Sequence, residues 1–436
     1  MHYRGAGKRD HLLTNGPITR LIPNFRRGNM IFRDDCRAGA SGMHHGRTDR
    51  RSKRNLSVSE LNANTMDGPS LGFVGDLCLS LDVINTVRRH GHEFLFERVR
   101  PLYQQFDLVV GNLECCITDN GPPEPPLRPP LSTPTDVAEA LNSSGIGVFG
   151  LANNHIMDFG ADGLRSTTDY LDKCGARYFG AGMTLQQAEA PLHIEVAGTR
   201  LALLGASEFT ASWASARRPG AAPLSERRLL RRIAEAKDDS DLVIVLLHAD
   251  LEFVRHPAPW RQRLSRRLIE QGAAIVIQHH PHVCQGLERY GGGVIAYSLG
   301  NHLFQVSGLE YLDHHGTDNS ILLQVDIAHS GGRRTISATA HHLRIDATHR
   351  PVPCEPGTAD RQHQQLDELS GELLDPRMVR AAWRATCRQQ FYDYIFGSYY
   401  ALRKRGLAAM VNHNIAILQT PEHRRWIYGL LSAGFL

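Results

Sequence analysis

Three imidazoles follow directly after an apolar, β-branched run in the second half of the chain. His279, His280 and His282 come after residues 275–277, Ile-Val-Ile, which have the length and composition of a buried strand. Pro281 stiffens the turn between two of these histidines, because its ring fixes φ and removes a backbone donor. A lone histidine in a loop is ordinarily a solvated residue. Three at the end of one buried strand indicate a metal-ligand site.

Four more apolar runs of strand length give way, at their C-terminal ends, to residues that bind metals or exchange protons. Taken singly, each is a common turn, capping or core residue. In sheets built from alternating strands and helices, however, ligands bind outside the carboxyl ends of the strands, so that residues distant in sequence have a physical reason to meet. The runs, residues 71–74, 106–110, 146–151 and 242–247, lead to Asp76, to Asn112 and Glu114, to Asn154 and His155, and to His248.

Carboxylates, carboxamide oxygens and imidazoles together form a mixed oxygen and nitrogen ligand set. Such a set suits Mn²⁺, Fe²⁺ or Zn²⁺ better than Ca²⁺ or Mg²⁺. It exceeds the four ligands of a structural zinc site and fits two ions about 3.5 to 4 Å apart that hold a bridging water. The predicted reaction is hydrolysis of a phosphate ester or an amide. His155 is the candidate proton donor to the leaving group, or the group that binds the developing oxyanion.

The spacing of apolar residues predicts the elements that position this set. Helical periodicity recurs between the strand-like runs, which predicts an α/β fold. A Pro-rich segment, residues 121–134, is predicted to be a loop. The predicted helices cover residues 81–103, 135–143, 162–173 and 224–238, a hairpin covers residues 194–196 and 201–204, and late strands cover residues 325–327 and 334–343.

Composition describes an ordinary soluble globular protein of 436 residues, with 42% hydrophobic and 22% charged residues. No apolar run approaches the roughly 20 residues that a membrane helix needs. Residues 1–60 contain 13 Lys and Arg against 5 Asp and Glu, so the basic charge lies in the leader. The leader lacks the interleaved aromatic residues that are typical of nucleic-acid-binding segments, so no nucleic-acid partner is predicted. Residues 1–66 are predicted to be a disordered basic extension.

The eight cysteines show no CxxC pair and no regular spacing. Cys115 and Cys116 are adjacent, which is a poor arrangement for a structural disulfide framework. The basic residues at the N-terminus are not followed by a continuous apolar segment, so no secretory signal is evident. A reducing compartment, and therefore a cytoplasmic location, is the expectation.

Two further domains are predicted beyond the leader. Residues 67–350 form the α/β domain, and residues 351–436 form a linker, over 352–362, and a helical extension with aromatic residues at helical spacing. These helices are interpreted as an appendix packed on the core. The alternative is a partner contact or homo-oligomer contact through their aromatic residues.

The motifs at the strand ends resemble, in order, those of the CapA family of poly-γ-glutamate capsule biosynthesis proteins, which has the calcineurin-like metallophosphoesterase fold. The resemblance covers about residues 71–325 and implies a four-layer α/β/β/α sandwich with two divalent metal ions at the strand ends. It implies His155 as the catalytic imidazole, with Asn112 as a ligand or as a neighbour of the ligands. The motifs are Gly75-Asp76, Gly111-Asn112-Leu113-Glu114, Leu151-Ala152-Asn153-Asn154-His155 with Asp158 and Gly160, His248 with Glu252-Phe253, His280-Pro281-His282-Val283 with Gln285, and Tyr297-Ser298-Leu299-Gly300-Asn301. The implied ligands are Asp76, Asn112, Glu114, Asn154, His248, His280 and His282.

The chain departs from the family pattern at several positions. Cys78 stands where phosphoesterases of this fold usually have a histidine, and a thiol ligand there would favour a softer ion or one site of reduced occupancy. Ala249 and Asp250 replace an aromatic residue and a glycine, Gln278 replaces a glycine, and His302 replaces a phenylalanine. Asp250 and His302 are expected to alter the charge of the pocket.

Three functions fit this pattern. The first is a metal-dependent hydrolase that cleaves a phosphoester bond. The second is a CapA-like role in the synthesis of a capsule-type polymer, in which the same site acts on a γ-glutamyl amide bond of a small-molecule or polymer substrate. The third is a non-catalytic binding or accessory protein that keeps the fold. A CapA-like role with hydrolytic metal chemistry is the prediction.

Overall fold

The computed structural model describes residues 68–121, 130–306, 308, 316–330, 333–419 and 427. The predicted disordered extension, residues 1–66, and most of the predicted Pro-rich loop, residues 122–129, lie outside the described residues.

Strands recur between residues 70 and 353, and they begin at the point where the first apolar run was expected. The longest are two adjacent strands near the end of the α/β region, of 12 and 13 residues. In chain order the strands are β1 (Ser70–Leu77), β2 (Leu108–Leu113), β3 (Cys116–Ile117), β4 (Ser132–Thr133), β5 (Val148–Gly150), β6 (Arg177–Phe179), β7 (Ala181–Gly182), β8 (Leu192–Val196), β9 (Thr199–Ser207), β10 (Gly220–Ala221), β11 (Leu242–His248), β12 (Ala273–His279), β13 (Leu287–Tyr290), β14 (Gly293–Ala296), β15 (Asn301–Leu303), β16 (Asn319–Ser330), β17 (Arg333–Ile345) and β18 (Pro351–Pro353).

Helices connect the strands and continue to the end of the described chain. Within the described residues, three short 3₁₀ turns accompany them, at His92–Leu95, Glu139–Leu141 and Thr210–Ser212. In chain order the α-helices are α1 (Asp82–His90), α2 (Arg100–Tyr103), α3 (Thr135–Ala138), α4 (Gly160–Lys173), α5 (Leu185–Ala188), α6 (Glu226–Asp239), α7 (Pro259–Gln271), α8 (Pro356–Glu372), α9 (Pro376–Arg405) and α10 (Leu407–Gln419).

The single helix expected over residues 81–103 is divided in the structure into α1, a 3₁₀ turn and α2. Gly91 follows α1 with φ of 89°, a conformation that suits glycine and stops an α-helix. Pro101 lies in the first turn of α2, where its missing N–H costs no hydrogen bond. Both breaks therefore have a local cause in the sequence.

Two mixed sheets bring the strand ends together. The first has the order β18-β17-β16-β1-β2-β5-β6, with β15 also paired to β1, and the second has the order β13-β14-β12-β11-β9-β8. The strands β1, β2, β5 and β6 run parallel in the first sheet, and β9, β11, β12 and β14 run parallel in the second. The carboxyl ends of each parallel set therefore share one edge.

The two sheets face each other across one apolar core. Phe73 and Val110 of the first sheet and Leu203, Ile244 and Ile277 of the second are buried in a single cluster. Because side chains alternate between the faces of a strand, the opposite faces of both sheets need cover from other elements.

Helices cover both outer faces. Val83 of α1 and Leu164 of α4 are buried in the cluster that packs on the outside of the first sheet. Ile233 of α6 and Leu268 of α7 are buried in the cluster on the outside of the second sheet. The order of layers is thus α/β/β/α, which confirms the predicted four-layer sandwich.

The segment predicted to be a linker, residues 352–362, is ordered structure instead. β18 is the edge strand of the first sheet and pairs with β17; proline is tolerated there because the outer side of an edge strand needs no donor. Pro356 is the first residue of α8, a position that favours proline. The predicted helical extension is confirmed by α8, α9 and α10.

Aromatic side chains of α9 are exposed, among them Tyr392, Phe396 and Tyr399. A partner or homo-oligomer contact through this surface stays a prediction. Among the described residues, no helix combines the length and the apolar composition that crossing a membrane would require.

Candidate metal centre

The ends of β1 and β2 place the first predicted ligands side by side. Asp76 and Asn112 are paired in the parallel register of these strands. The Asn112 side-chain amide donates to Asp76 Oδ1 at 2.8 Å and lies 3.3 Å from His248 Nδ1. Glu114 follows two residues later and is completely buried. Asn112 therefore holds two of the predicted ligands through its amide nitrogen.

A second asparagine fixes the turn after β5. Asn153 donates from Nδ2 to the Leu113 carbonyl at 2.7 Å, and its Oδ1 accepts the backbone N–H groups of His155 and Ile156 at 3.0 and 2.9 Å. The next residue, Asn154, lies with Oδ1 at 2.8 Å from His248 Nε2. Asn153 was quoted only as part of a motif, yet it ties this turn to the end of β2.

His248 ends β11 and is buried against the first sheet's carboxylates. Its Nε2 lies 3.3 Å from Glu114 Oε1. Burial, followed by the neighbouring imidazoles His280, His279 and His282, lowers the pKa of His248 well below its usual range. The imidazole is therefore neutral at physiological pH, and a neutral imidazole keeps the lone pair that a metal ion needs.

The turn after β12 carries His280 and His282 in left-handed conformations. Their φ angles are 96° and 57°, which non-glycine residues adopt at a cost and mostly at functional sites. The backbone N–H of His280 donates to Asp76 Oδ2 at 3.2 Å, and His282 Nδ1 lies 3.4 Å from the same oxygen. This turn is thus tied directly to the end of β1.

His282 and His279 have different hydrogen-bond partners, and these orient the two rings differently. His282 Nδ1 also lies 2.8 Å from Asn301 Oδ1, so that the motif residue Asn301 orients its ring. His279 turns away, because its Nε2 lies 3.2 Å from the Val74 carbonyl oxygen. Only two of the three adjacent imidazoles therefore face the carboxylates.

Three groups of side chains have ligand atoms within 4.8 Å of one another in the described residues, and two of these groups share Glu114. All the shared members are buried, and carboxylates and neutral imidazoles are the donors that divalent transition metals take. The donor set therefore fits metal ions. The groups are Glu114, His248 and His280; Asp76, Glu114 and His282; and Glu252, His280 and His282.

His155 lies next to this set and is paired with a carboxylate. Its Nδ1 is 2.6 Å from Asp158 Oδ2, and that oxygen also accepts the backbone N–H of Leu131 at 2.9 Å. A carboxylate fixed in this way orients the imidazole. With Nδ1 engaged by Asp158, Nε2 is the nitrogen that can exchange a proton with a substrate.

Cys78 does not replace the histidine of the usual first motif as a ligand. It is buried and belongs to none of the three candidate groups found in the described part of the chain. Burial, with a hydrogen bond to Cys115, raises the pKa of Cys78 well above its usual range, which keeps it a thiol. The thiol ligand considered from the sequence is therefore not supported.

Asp250 and His302 do not reach the pocket either, so the expected change in pocket charge is not seen. Asp250 Oδ2 accepts a hydrogen bond from the buried Arg261 at 3.0 Å. The Arg261 guanidinium also donates to the side-chain oxygen of Gln278 and, at 2.9 Å, to the Tyr297 carbonyl. Arg261, which the sequence analysis did not single out, thus neutralises Asp250 and binds Gln278.

His302 lies behind the site in a separate buried contact. It hydrogen-bonds with the Tyr103 hydroxyl, and its Nδ1 lies 3.4 Å from Ser320 Oγ. Burial lowers the pKa of His302 to about 3. The ring is therefore neutral and adds no charge near the metal ligands.

A family model described as "Bacterial capsule synthesis protein PGA_cap" matches residues 70–306, more than half of the chain. The chain is 30% identical over 261 residues to "Capsule biosynthesis protein CapA" of Bacillus anthracis, which covers 58% of this chain and 64% of that protein. It is 30% identical over 288 residues to "PGA biosynthesis protein CapA" of Bacillus subtilis (strain 168), which covers 65% of this chain and 73% of that protein. The chain therefore spans less than two thirds of the first relative's length.

Among solved structures, a 5'-nucleotidase precursor from Thermus thermophilus is similar with a TM-score of 0.38 and 11% identity, over 70% of this chain and 58% of that chain. A likeness at this level carries no argument about activity. The family match covers residues 70–306, which include every predicted ligand from Asp76 to His282. The chain belongs to the family of bacterial capsule synthesis proteins described as PGA_cap, the CapA family that its motifs resemble.

Proposed function

We propose that this chain is a metal-dependent hydrolase that holds two divalent transition-metal ions, Mn²⁺, Fe²⁺ or Zn²⁺, at its strand ends. The observation that carries the proposal is the position of Glu114, which belongs both to the group with His248 and His280 and to the group with Asp76 and His282. A carboxylate that belongs to two ligand groups can serve two ions held close together, as in a dinuclear centre. Asn154, beside His248, completes the first group.

Bound ions of this kind lower the pKa of a water molecule and stabilise negative charge on a tetrahedral or phosphoryl transition state. The chain's own contribution is proton transfer and orientation. His155, held through Nδ1 by Asp158, gives a proton from Nε2 to the leaving group. Asn112 and Asn301 keep Asp76 and His282 in place through hydrogen bonds.

The substrate proposed is a phosphoester or a γ-glutamyl amide bond in the synthesis of a capsule-type polymer. The support is the family, whose members from Bacillus anthracis and Bacillus subtilis are named as capsule and PGA biosynthesis proteins. The departures at Asp250 and His302 do not weaken it. The first is neutralised by Arg261 and the second is buried against Tyr103, so neither changes the charge that a substrate meets.

The test is the metal content of the purified protein, measured by elemental mass spectrometry. Wild type is expected to hold close to two transition-metal equivalents, and the His280→Ala/His282→Ala double variant is expected to lose them. His193→Ala and Glu195→Gln, both at exposed positions of β8, are the controls for loss of an imidazole and for loss of a carboxylate. The metal-loaded protein is then assayed against phosphoesters and γ-glutamyl amides. Folded wild type that holds no metal after reconstitution would contradict the proposal and favour the non-catalytic accessory role.

A further inference from the structure

One carboxylate near the candidate metal centre, that of Glu252, is exposed to solvent, and its motif does not indicate a role. Glu252 belongs to the third candidate ligand group, with His280 and His282. It is the exposed member of that group, whereas the two histidines are buried. From the sequence, Glu252 is recognised only as part of the motif that begins at His248, and no role is assigned to it.

The position of Glu252 relative to the two other groups is specific. His280 also belongs to the group with Glu114 and His248, and His282 also belongs to the group with Asp76 and Glu114. Glu252 therefore reaches one histidine of each group, as Glu114 does. Glu114 makes this connection from the buried side and Glu252 makes it from the exposed side.

The segment that carries Glu252 is fixed to the histidine turn. The backbone N–H of Phe253 donates to the Pro281 carbonyl at 2.8 Å, and Gln285 Nε2 donates to the Val254 carbonyl at 2.6 Å. Pro281 is the residue between His280 and His282. Two hydrogen bonds therefore tie the loop to the turn, and a carboxylate oxygen of Glu252 lies within 4.8 Å of a ring nitrogen of each histidine.

The other end of the segment is fixed as well. Asp250 accepts hydrogen bonds from Arg261 at 3.0 Å and from the Ala258 backbone at 2.8 Å, and its own N–H donates to Glu208 Oε2 at 3.0 Å. Asp250 and Phe253 both have positive φ, 89° and 61°. Non-glycine residues keep such conformations only where surrounding contacts impose them, which is typical of functional sites.

We propose that the Glu252 carboxylate is a metal ligand that closes the centre on its solvent side, between His280 and His282. The inference rests on the proposed dinuclear centre and extends it. Two imidazoles and one carboxylate oxygen within 4.8 Å form a donor set of the kind that holds a divalent ion. Because Glu252 is the exposed donor, it is the ligand that an incoming substrate meets first.

The experiment titrates Mn²⁺ into the metal-free full-length protein by isothermal calorimetry. Wild type, Glu252→Gln and the control Glu195→Gln are compared, and circular dichroism verifies that all three are folded. Glu252→Gln keeps the size of the side chain and removes its charge. The expected result is that at least one Mn²⁺ equivalent binds about 10 to 100 times more weakly in this variant, while the control matches wild type.

A second measurement reads coordination directly. With Co²⁺ in place of Mn²⁺, loss of a carboxylate ligand is expected to change the visible absorption bands of Glu252→Gln and to leave those of the control unchanged. Two Mn²⁺ equivalents bound by wild type and Glu252→Gln with equal affinity and equal Co²⁺ spectra would overturn the role of Glu252 and leave the dinuclear centre standing. Wild type that binds no metal would overturn both.

Discussion

His155 Nδ1 lies 2.6 Å from Asp158 Oδ2, three residues further along the same turn. The contact is mostly shielded from solvent, with 14% of the His155 side chain and 4% of the Asp158 side chain exposed. The backbone N–H of Leu131 holds the same carboxylate oxygen from the other side. In the proposed function, this pairing engages Nδ1 and leaves proton transfer to Nε2 of His155.

Replacing Asp158 by asparagine is expected to lower kcat about 10 to 100 times without changing metal content. The amide keeps the shape of the carboxylate but cannot stabilise a protonated His155. General acid–base catalysis as a whole raises reaction rates about 10² to 10⁴-fold. The alkaline limb of the kcat profile, where His155 loses the proton it donates, should move to lower pH. Asp162→Asn, which removes an exposed partner of Arg165, is the matched control.

The measurement uses the substrate found in the screen of phosphoesters and γ-glutamyl amides. His155→Ala is expected to lower kcat further than Asp158→Asn. An Asp158→Asn enzyme with the wild-type rate and pH profile would show that the carboxylate does not act through His155.

Glu114→Gln is expected to weaken the binding of both metal ions, because Glu114 belongs to both buried ligand groups. Asp76→Asn should weaken binding only of the ion held by the group with His282. His248→Asn should weaken binding only of the ion held by the group with His280. Elemental analysis and Mn²⁺ titration of the three variants distinguish these outcomes. If Glu114→Gln lost one equivalent and kept the other at wild-type affinity, the two groups would not share this carboxylate.

The buried Arg261 gives a prediction about stability. Its guanidinium binds Asp250, Gln278 and the Tyr297 carbonyl, and its ion pair with Asp250 is shielded from solvent. Arg261→Met is expected to lower the free energy of unfolding by about 3 to 5 kcal/mol, because it leaves a buried carboxylate without its cation. Urea unfolding of the metal-free protein measures this.

Adding Asp250→Asn to Arg261→Met should recover part of the loss, since the charge of Asp250 is then removed together with its cation. Glu235→Gln, which breaks exposed pairs with Arg231 and Arg232, should change the free energy of unfolding by less than about 1 kcal/mol. Equal losses in the single and double variants would mean that packing, and not the charge on Asp250, sets the cost.

The strand ends could be predicted from the sequence because a buried parallel strand is a continuous apolar run. Its end is therefore visible as the first polar residue. Asp76, Glu114, His248, His280 and His282 were found in this way, and the structure brings them together. The prediction needed no knowledge of which strands are neighbours, only that parallel strands end at the same edge.

Contacts between residues distant in sequence could not be read in the same way. Helix α7 was not predicted, because its buried face includes Arg261, Gln262 and Ser265 and hides the apolar period. Without that helix, Asp250 and Gln278 looked like unrelated departures from the family. They are explained together once Arg261 is seen to bind both side chains.

The pKa of His302 predicts how stability changes with pH. Burial lowers it from its ordinary value of 6.5 to about 3, so between these values the unfolded chain binds a proton that the folded protein does not. Stability therefore falls as pH falls below 6.5, by at most about 1.4 kcal/mol for each pH unit, or about 2 kcal/mol by pH 5. His302→Phe, which restores the usual family residue, should remove this contribution.

Urea unfolding of wild type and His302→Phe, from about pH 7 to 5 and with a chelator present, separates this effect from metal release. His248 and His279 also have pKa values lowered by burial, but they titrate in both proteins and cancel in the difference. Tyr103→Phe is the control for the lost hydrogen bond, because it removes the hydroxyl and leaves the imidazole. Parallel stability curves for wild type and His302→Phe would show that His302 binds its proton as readily in the folded protein as in the unfolded chain, so that burial does not lower its pKa.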